Sequence, residues 1–295
     1  MKIAILGKPF EDNIAPFIQA LFDELVRRGA ELLVVEHFKL YLGNTINLPS
    51  DIAIFSRGDS LVGVDVVLSI GGDGTLLDTV TYVGADQLPI LGINTGRLGF
   101  LATIPYDSIN AAIDALYKNE YTLDERSLIR VDANQDVFDG INFGLNEFSI
   151  QKRDTSAMLV VHTYIDGEYL NSYWADGLVV ATPTGSTGYS LSCGGPLVLP
   201  KTNNFIISPV CPHNLNVRPM IVPDSSVISF EVEGRSSSFL ASLDSRSVPV
   251  DMTVQLSVRR EDFVARLVKL HHVDFLSTLR SKLNWGLDKR NNLLR

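Results

Sequence analysis

Leu68-Ser69-Ile70-Gly71-Gly72-Asp73-Gly74-Thr75-Leu76-Leu77 decides the fold and raises the chemical question. The run Val64–Ile70 reads as a buried parallel strand, because it is apolar and rich in β-branched residues. It breaks into three glycines around one acid and enters an apolar-periodic helix reaching about Val83. Glycines at a strand-to-helix turn let main-chain N–H groups approach a phosphate closely, and the helix N-terminus favours negative charge. A carboxylate in such a cradle repels its ligand unless it binds a metal or takes a proton from an attacking hydroxyl. Asp73 is therefore either a helix N-cap in a tight turn or the base of a phosphoryl transfer. A P-loop is excluded, since no Lys-Ser/Thr pair follows the glycines. Leu77 stands where a dinucleotide fingerprint needs its third small residue.

Outward from this turn, the first hundred residues alternate strand and helix. Lys2–Leu6, Glu31–Val35 and Leu88–Ile93 read as further strands. Asp12–Arg28 reads as a helix with Ile14, Phe17, Ile18, Leu21, Phe22 and Leu25 on one face, closed by Gly29 as a C′ glycine. The alternation predicts a parallel doubly wound sheet, with ligands beyond the carboxyl ends of the strands. Asn94-Thr95-Gly96-Arg97-Leu98-Gly99-Phe100 follows the strand at Ile93. With Gly71–Thr75 it supplies two candidate walls of one site. Lys39–Ser60 lacks periodicity and is expected to be a mobile loop near that site.

After a helix at roughly Tyr106–Lys118 the pattern changes to short strands. These are Leu128–Asp132, Asn142–Gln151, Met158–Ile165, Glu168–Trp174, Leu178–Ala181, Val227–Val232, Phe239–Leu243, Thr253–Arg259 and Phe263–Leu270. Asp166-Gly167 is a hairpin signal between two of them. The expectation is an α/β N-terminal doubly wound domain over residues 1–120 and a β-rich C-terminal domain over 121–270. A segment 271–295 follows, whose helix Phe275–Leu283 returns to the first domain.

Composition narrows the function. A chain of 295 residues with 45% hydrophobic content can bury a core, and two domains suit that length. A net charge of −9 argues against non-specific nucleic-acid or anionic-membrane partners. Any site for anions must then build its own positive potential. Cys193 and Cys211 are the two cysteines, too few for a disulfide framework or zinc cluster. Met1 leads straight into a strand without a signal peptide, and no apolar run is long enough for a bilayer. A reduced, cytoplasmic compartment is expected. Of the five histidines, His213 beside Cys211 is the one near a candidate site, although a surface role suits it better.

The second dense segment is Asp176-Gly177-Leu178-Val179-Val180-Ala181-Thr182-Pro183-Thr184-Gly185-Ser186-Thr187-Gly188-Tyr189-Ser190-Leu191-Ser192, with Gly194-Gly195-Pro196 beyond it. Hydroxyls and glycines crowd the entrance of a short helix, which suits a sugar, phosphate or carboxamide. Tyr189 offers a face for stacking on a base. A capped Ser/Thr turn with Tyr189 in the core is the plainer alternative. Asn146-Glu147 places two polar residues in an otherwise apolar strand, and these need be no more than one solvent-facing and one satisfied residue.

Gly71-Gly72-Asp73-Gly74-Thr75, Asn146-Glu147 and Asp176-Gly177 with Thr182–Thr187 resemble the NAD kinase family in order and spacing, over nearly the whole chain. The glycine turn is shared with diacylglycerol and sphingosine kinases and phosphofructokinases; the Thr-Pro-Thr-Gly-Ser-Thr segment is far more specific. The resemblance implies NAD held between the two domains, ATP with a divalent metal, Mg²⁺ by preference, as donor, and a homodimer or homotetramer. It makes Asp73 the base, with Gly74 against the NAD. Asn146 and Glu147 become the pair holding the adenosine ribose and adenine. Asp176 contacts the other half of the dinucleotide, often across a subunit interface. Thr187, Gly188, Tyr189, Ser190, Leu191 and Ser192 form the adenine- and ribose-side loop, with Cys211 near the ligand and Asp244 as an acid in a turn. Gly188 replaces the family's usual alanine. Trp174 stands where many relatives carry a basic residue, and Arg246 is expected to supply that charge to a phosphate. The implied reaction moves the γ-phosphoryl of ATP to the 2′-hydroxyl of the adenosine ribose of NAD, giving NADP. The alternatives are a lipid kinase of the diacylglycerol or sphingosine type, against which stand the Thr182–Thr187 loop and the lack of a basic membrane-facing segment, and a regulator that binds NAD or ATP without turnover.

Overall fold

Val66–Gly71, the strand before Asp73, is buried at every position, as a strand covered on both faces must be. In chain order the first strands are β1 (Lys2–Gly7), β2 (Glu31–Val35), β3 (Ala53–Phe55), β4 (Val66–Gly71) and β5 (Pro89–Asn94). They pair in parallel in the order β3-β2-β1-β4-β5. The short β6 (Ile104–Pro105) runs beside the end of β5. The helices are α1 (Ala15–Arg27), α2 (Glu36–Gly43), α3 (Asp73–Val83) and α4 (Ile109–Lys118). The strand order reverses between β1 and β4, and open α/β sheets bind ligands at such a reversal. Asp73 follows β4 directly, so the chain delivers it to that point.

This is a computed structural model; it describes residues 1–96, 99–153, 158–270 and 274–285. The chain divides into two compact units, Met1–Asp124 with Arg266–Arg295, and Glu125–Ala265. The boundaries expected from the sequence are 120 and 270.

Within the first unit, α1 buries Ile18, Leu21, Phe22 and Leu25 completely, at about 1.5–3 kcal/mol each. Phe17 does not join that face. It is 39% exposed and meets Tyr106 edge-on at 4.9 Å. Gly29 ends the helix at φ 68°, as a C′ residue. The expected loop Lys39–Ser60 is corrected: it contains the end of α2 and all of β3. Only Phe38 and Leu42 of α2 are buried, one i,i+4 pair, which leaves too little periodicity to read.

The second unit holds most of β7 (Tyr121–Ala133), then β8 (Phe143–Gly144), β9 (Glu147–Gln151), β10 (Leu159–Ile165), β11 (Glu168–Ala175), β12 (Gly177–Ala181), β13 (Asn204–Val210), β14 (Met220–Pro223), β15 (Ile228–Gly234), β16 (Ser238–Leu243), β17 (Arg246–Asp251) and the first part of β18 (Leu256–Leu270). A short helix α5 (Tyr189–Ser192) follows β12. One antiparallel sheet runs β14-β13-β12-β9-β16-β17. Another runs β11-β10-β15-β18. Phe148 of the first and Phe230 of the second meet with ring centroids 5.8 Å apart, so the apolar faces of the two sheets pack together. Asp166 and Gly167 both take positive φ, 52° and 85°, the turn expected there.

In the second unit β13, β14 and β17 are strands that the sequence does not announce. β17 carries Pro249 and β14 ends in Pro223, and both lie at sheet edges, where a missing N–H costs little. Pro209 of β13 lies beyond the part of the strand that β14 pairs. The two strands expected at Thr253–Arg259 and Phe263–Leu270 are one, β18. Its polar middle is paired, Glu261 with Arg130 at 3.4 Å and Arg260 with Asp224 at 3.1 Å. The last part of β18 belongs to the first unit, where Arg266 and Leu267 pair in parallel with Pro89 and Ile90. In the same unit the closing helix α6 (Phe275–Leu283) sets Phe275 against Phe100 at 6.4 Å.

Candidate active site

In the first unit Asp73 is not the N-cap of α3; Gly72 is, and the Asp73 side chain caps nothing in its own helix. Its carboxylate reaches across to the loop after β5. Phe100 N–H donates to Oδ2 at 2.8 Å, and the Leu101 and Ala102 amides both donate to Oδ1 at 3.0 Å. A carboxylate has about four acceptor positions, so three fixed donors hold the group rigidly and leave one position on Oδ2. Gly99 makes this approach possible: a Cβ there would lie 1.8 Å from Oδ1. Gly72 and Gly74 are exposed, and a Cβ on either would meet nothing within 4 Å. The two glycine-rich turns are thus brought together as expected, with Gly71 opposite Asn94 in the β4–β5 register and Thr95 N–H donating to the Gly71 carbonyl at 3.2 Å. Arg97 and Leu98 lie outside the described residues.

In the second unit Asn146 and Glu147 open β9, and the Thr182–Ser192 segment folds against them. Thr182 N–H donates to the Asn146 carbonyl at 2.8 Å, and its hydroxyl to the Leu145 carbonyl at 2.6 Å. Gly185 approaches Asn146 so closely that a Cβ would lie 2.1 Å from the Asn146 carbonyl oxygen. Tyr189 N–H points at Glu147 Oε2, 3.4 Å away. Gly188 leaves that carboxyl room: the usual alanine's Cβ would sit 2.7 Å from Oε2. Ser190 is fully buried and bonded to Ser208 at 3.1 Å, whereas Thr187, Tyr189 and Leu191 are half-buried and Ser192 is exposed. Of Thr187–Ser192, Ser190 is thus the residue turned into the core.

Asp244 mirrors the Asp73 arrangement. Leu145, Asn146 and Glu147 donate their amides to its carboxylate at 2.7, 2.8 and 3.1 Å. Burial pushes both the Asp244 and Glu147 carboxyls upward. For Asp244, three amides and the Arg246 guanidinium oppose that push. Glu147 rises to about 8, by burial first and then by the nearby Asp244. Arg246, expected as a phosphate contact, donates to the Ile141 and Phe143 carbonyls at 2.6 and 2.5 Å. It braces the segment leading to Asn146.

Asp176 is half-exposed and pairs with Lys152 at 2.7 Å, a cation the sequence reading did not single out. The peptide N–H of Asp176 donates to the Val210 carbonyl, which sets exposed Cys211 beside it in a left-handed conformation of φ 45°. Trp174 is 51% exposed, and its carbonyl accepts the His213 amide. Among the described residues no group of three His, Cys, Asp or Glu converges as a metal cage.

Residues 3–121 match the family model of the ATP-NAD kinase N-terminal domain, and residues 145–270 match that of the ATP-NAD kinase C-terminal domain. The chain is 55% identical over 292 residues to the NAD kinase of Cytophaga hutchinsonii, covering 99% of this chain and 100% of that protein. It is 41% identical to the NAD kinase of Bacteroides fragilis over 295 residues, covering 98% and 100%. Among solved structures, an NAD kinase from Archaeoglobus fulgidus in complex with ATP superposes with a TM-score of 0.73 at 25% identity, over 96% of this chain and 99% of that one. A yeast NADH kinase complexed with NADH shares the fold, with a TM-score of 0.87 at 22% identity, over 100% of this chain and 89% of that one.

Proposed function

The chain belongs to the NAD kinase family, and on that premise we propose that it moves the γ-phosphoryl of ATP to the 2′-hydroxyl of the adenosine ribose of NAD, giving NADP. The observation that carries this is Asp73: a carboxylate fixed by three amides, half-exposed, with one acceptor position left and two open glycines beside it. A ribose hydroxyl is a poor nucleophile at neutral pH. A fixed carboxylate that takes its proton is worth typically 10²–10⁴-fold in rate. ATP brings the divalent metal, Mg²⁺ by preference, which neutralises charge on the transferring group. The remaining task of the protein is to position the two substrates.

Asn146 and Glu147 hold the adenosine. With its pKa at about 8, Glu147 carries a proton at neutral pH and so presents one donor and one acceptor. An adenine edge offers the complement, an N–H₂ donor beside a ring-nitrogen acceptor. Thr187, Gly188, Tyr189 and Leu191 line the same loop, and Gly74 lies against the NAD. Asp176, with Lys152 alongside, and Cys211 serve the rest of the dinucleotide. Assembly as a homodimer or homotetramer in the cytoplasm completes the proposal; no helix among the described residues is long and apolar enough to cross a membrane.

The test is the purified chain with ATP, Mg²⁺ and NAD, with NADP read by a coupled NADP-specific dehydrogenase. Steady NADP formation that requires all three components is the expected result. NAD binding without product would replace the kinase with a nucleotide-binding regulator.

A further inference from the structure

Asp244 is a polar anchor that the roles above leave unused. It starts the two-residue turn between β16 and β17, where Leu243 pairs with Arg246, and holds φ at 52°. Its carboxylate turns back to accept the amides of Leu145, Asn146 and Glu147, and its own amide donates to the Glu147 carbonyl at 2.9 Å. Two residues on, Arg246 holds the carbonyls of Ile141 and Phe143. One hairpin turn thus grips donors and acceptors along 141–147, from just before β8, across the two residues that separate it from β9, to the first residue of β9. Gly144 gives clearance, since a Cβ there would stand 3.0 Å from the Asp244 carboxylate.

We propose that Asp244 is a positioning residue for NAD: by holding three successive amides it fixes the main chain from which Asn146 and Glu147 project, and so sets how the adenosine is gripped. This rests on the assignment of Asn146 and Glu147 to NAD. Three donors on one carboxylate fix both the height and the rotation of a segment, which a single bond would not. Asp244 also adds to the upward push on the Glu147 carboxyl, after burial itself. The groups facing the Glu147 carboxyl are Asp244 from the turn and Tyr189 and Cys193 from the α5 segment, while Arg246 acts on Asp244 itself. Replacing Asp244 by asparagine removes its share of that push, so Glu147 then ionises at lower pH. A residue that served stability alone would not produce that shift.

The experiment measures kcat and the KM for NAD and for ATP across pH 6–10 for the full chain and its Asp244→Asn, Gly144→Ala and Asn146→Ala variants. For Asp244→Asn we expect a KM for NAD raised at least ten-fold, a KM for ATP within two-fold, and an alkaline limb of kcat/KM for NAD moved to lower pH. A KM for NAD within two-fold of the parent, equal rises in both KM values, or an unmoved alkaline limb would each overturn the proposal. Should Asp244→Asn show no cooperative melting, Gly144→Ala decides, because it crowds the same carboxylate without removing it. A several-fold rise in the KM for NAD alone supports the proposal, and an unchanged value ends it. Asn146→Ala separates the two inferences. An unchanged KM for NAD in that variant removes the NAD assignment itself. A raised one beside an unaffected Asp244→Asn enzyme overturns only the role of Asp244.

Discussion

In the first unit Asp73 accepts the amides of residues 100, 101 and 102; in the second, Asp244 accepts those of 145, 146 and 147. A glycine precedes each run of amides, Gly99 in one and Gly144 in the other, and each glycine faces the carboxylate. The surroundings differ. Asp73 sits on the first turn of a helix beside two exposed glycines, so its remaining acceptor position is open to a ligand. The Asp244 carboxylate is closed in beside a second carboxyl, Glu147, with Arg246 on its own hairpin. The same contact therefore does two jobs. Where the far side of the carboxylate is open, the amides hold a reactive group; where it is closed, the carboxylate holds the amides.

The largest test of this contrast is Asp73→Asn. Turnover should fall by about 10²–10⁴-fold with a nearly unchanged KM for NAD, read in the coupled assay. Turnover within a few-fold of the parent would leave Asp73 as an anchor like Asp244 and erase the distinction. Next comes Gly99→Ala, whose Cβ would fall 1.8 Å from Asp73 Oδ1, against 3.0 Å for Gly144→Ala at Asp244. Overpacking of this kind costs about 1–3 kcal/mol, and Gly99→Ala should stand at the upper end and also lower kcat roughly ten-fold. Equal losses of melting temperature at the two glycines would mean that the clamps are equally tight. The smallest effect is on pH. Between 4.5 and about 8 folded Glu147 keeps a proton that the unfolded chain releases. Its contribution to stability is complete below 4.5 and is lost as pH rises through 8. Glu147→Gln should therefore flatten the melting temperature between pH 6 and pH 9 and remove the alkaline fall in kcat/KM for NAD. A parent-like pH profile in that variant would show that Glu147 does not titrate there.

How much of this was legible in the sequence follows the range of each interaction. Local chemistry could be read: the apolar run into Gly71–Thr75, the C′ glycine at 29, the Asp166-Gly167 turn and the hydroxyl-rich segment after β12 each depend on near neighbours. Both clamps were hidden, because Asp73 reaches its amides across 27–29 residues and Asp244 across 97–99. No spacing rule connects a turn residue to a main chain so distant. Two Arg246 contacts were hidden for the same reason, since they are carbonyls 103 and 105 residues away. The charged run Arg260-Glu261-Asp262 parts the two strands expected there, and the partners that carry β18 through it, Asp224 and Arg130, are again distant in sequence.

The discontinuity of the first unit bears on how the protein is made. β5 gains Arg266 and Leu267 as partners only from the far end of the chain. On a ribosome, the whole of Glu125–Ala265 must be translated first. At about 5–20 residues per second that delay is on the order of ten seconds, during which this part of the β5 edge has nothing to pair with. Unpaired strand edges invite association with other chains. Slower translation of the middle of the message should therefore lower the yield of native enzyme more than slower translation of its start.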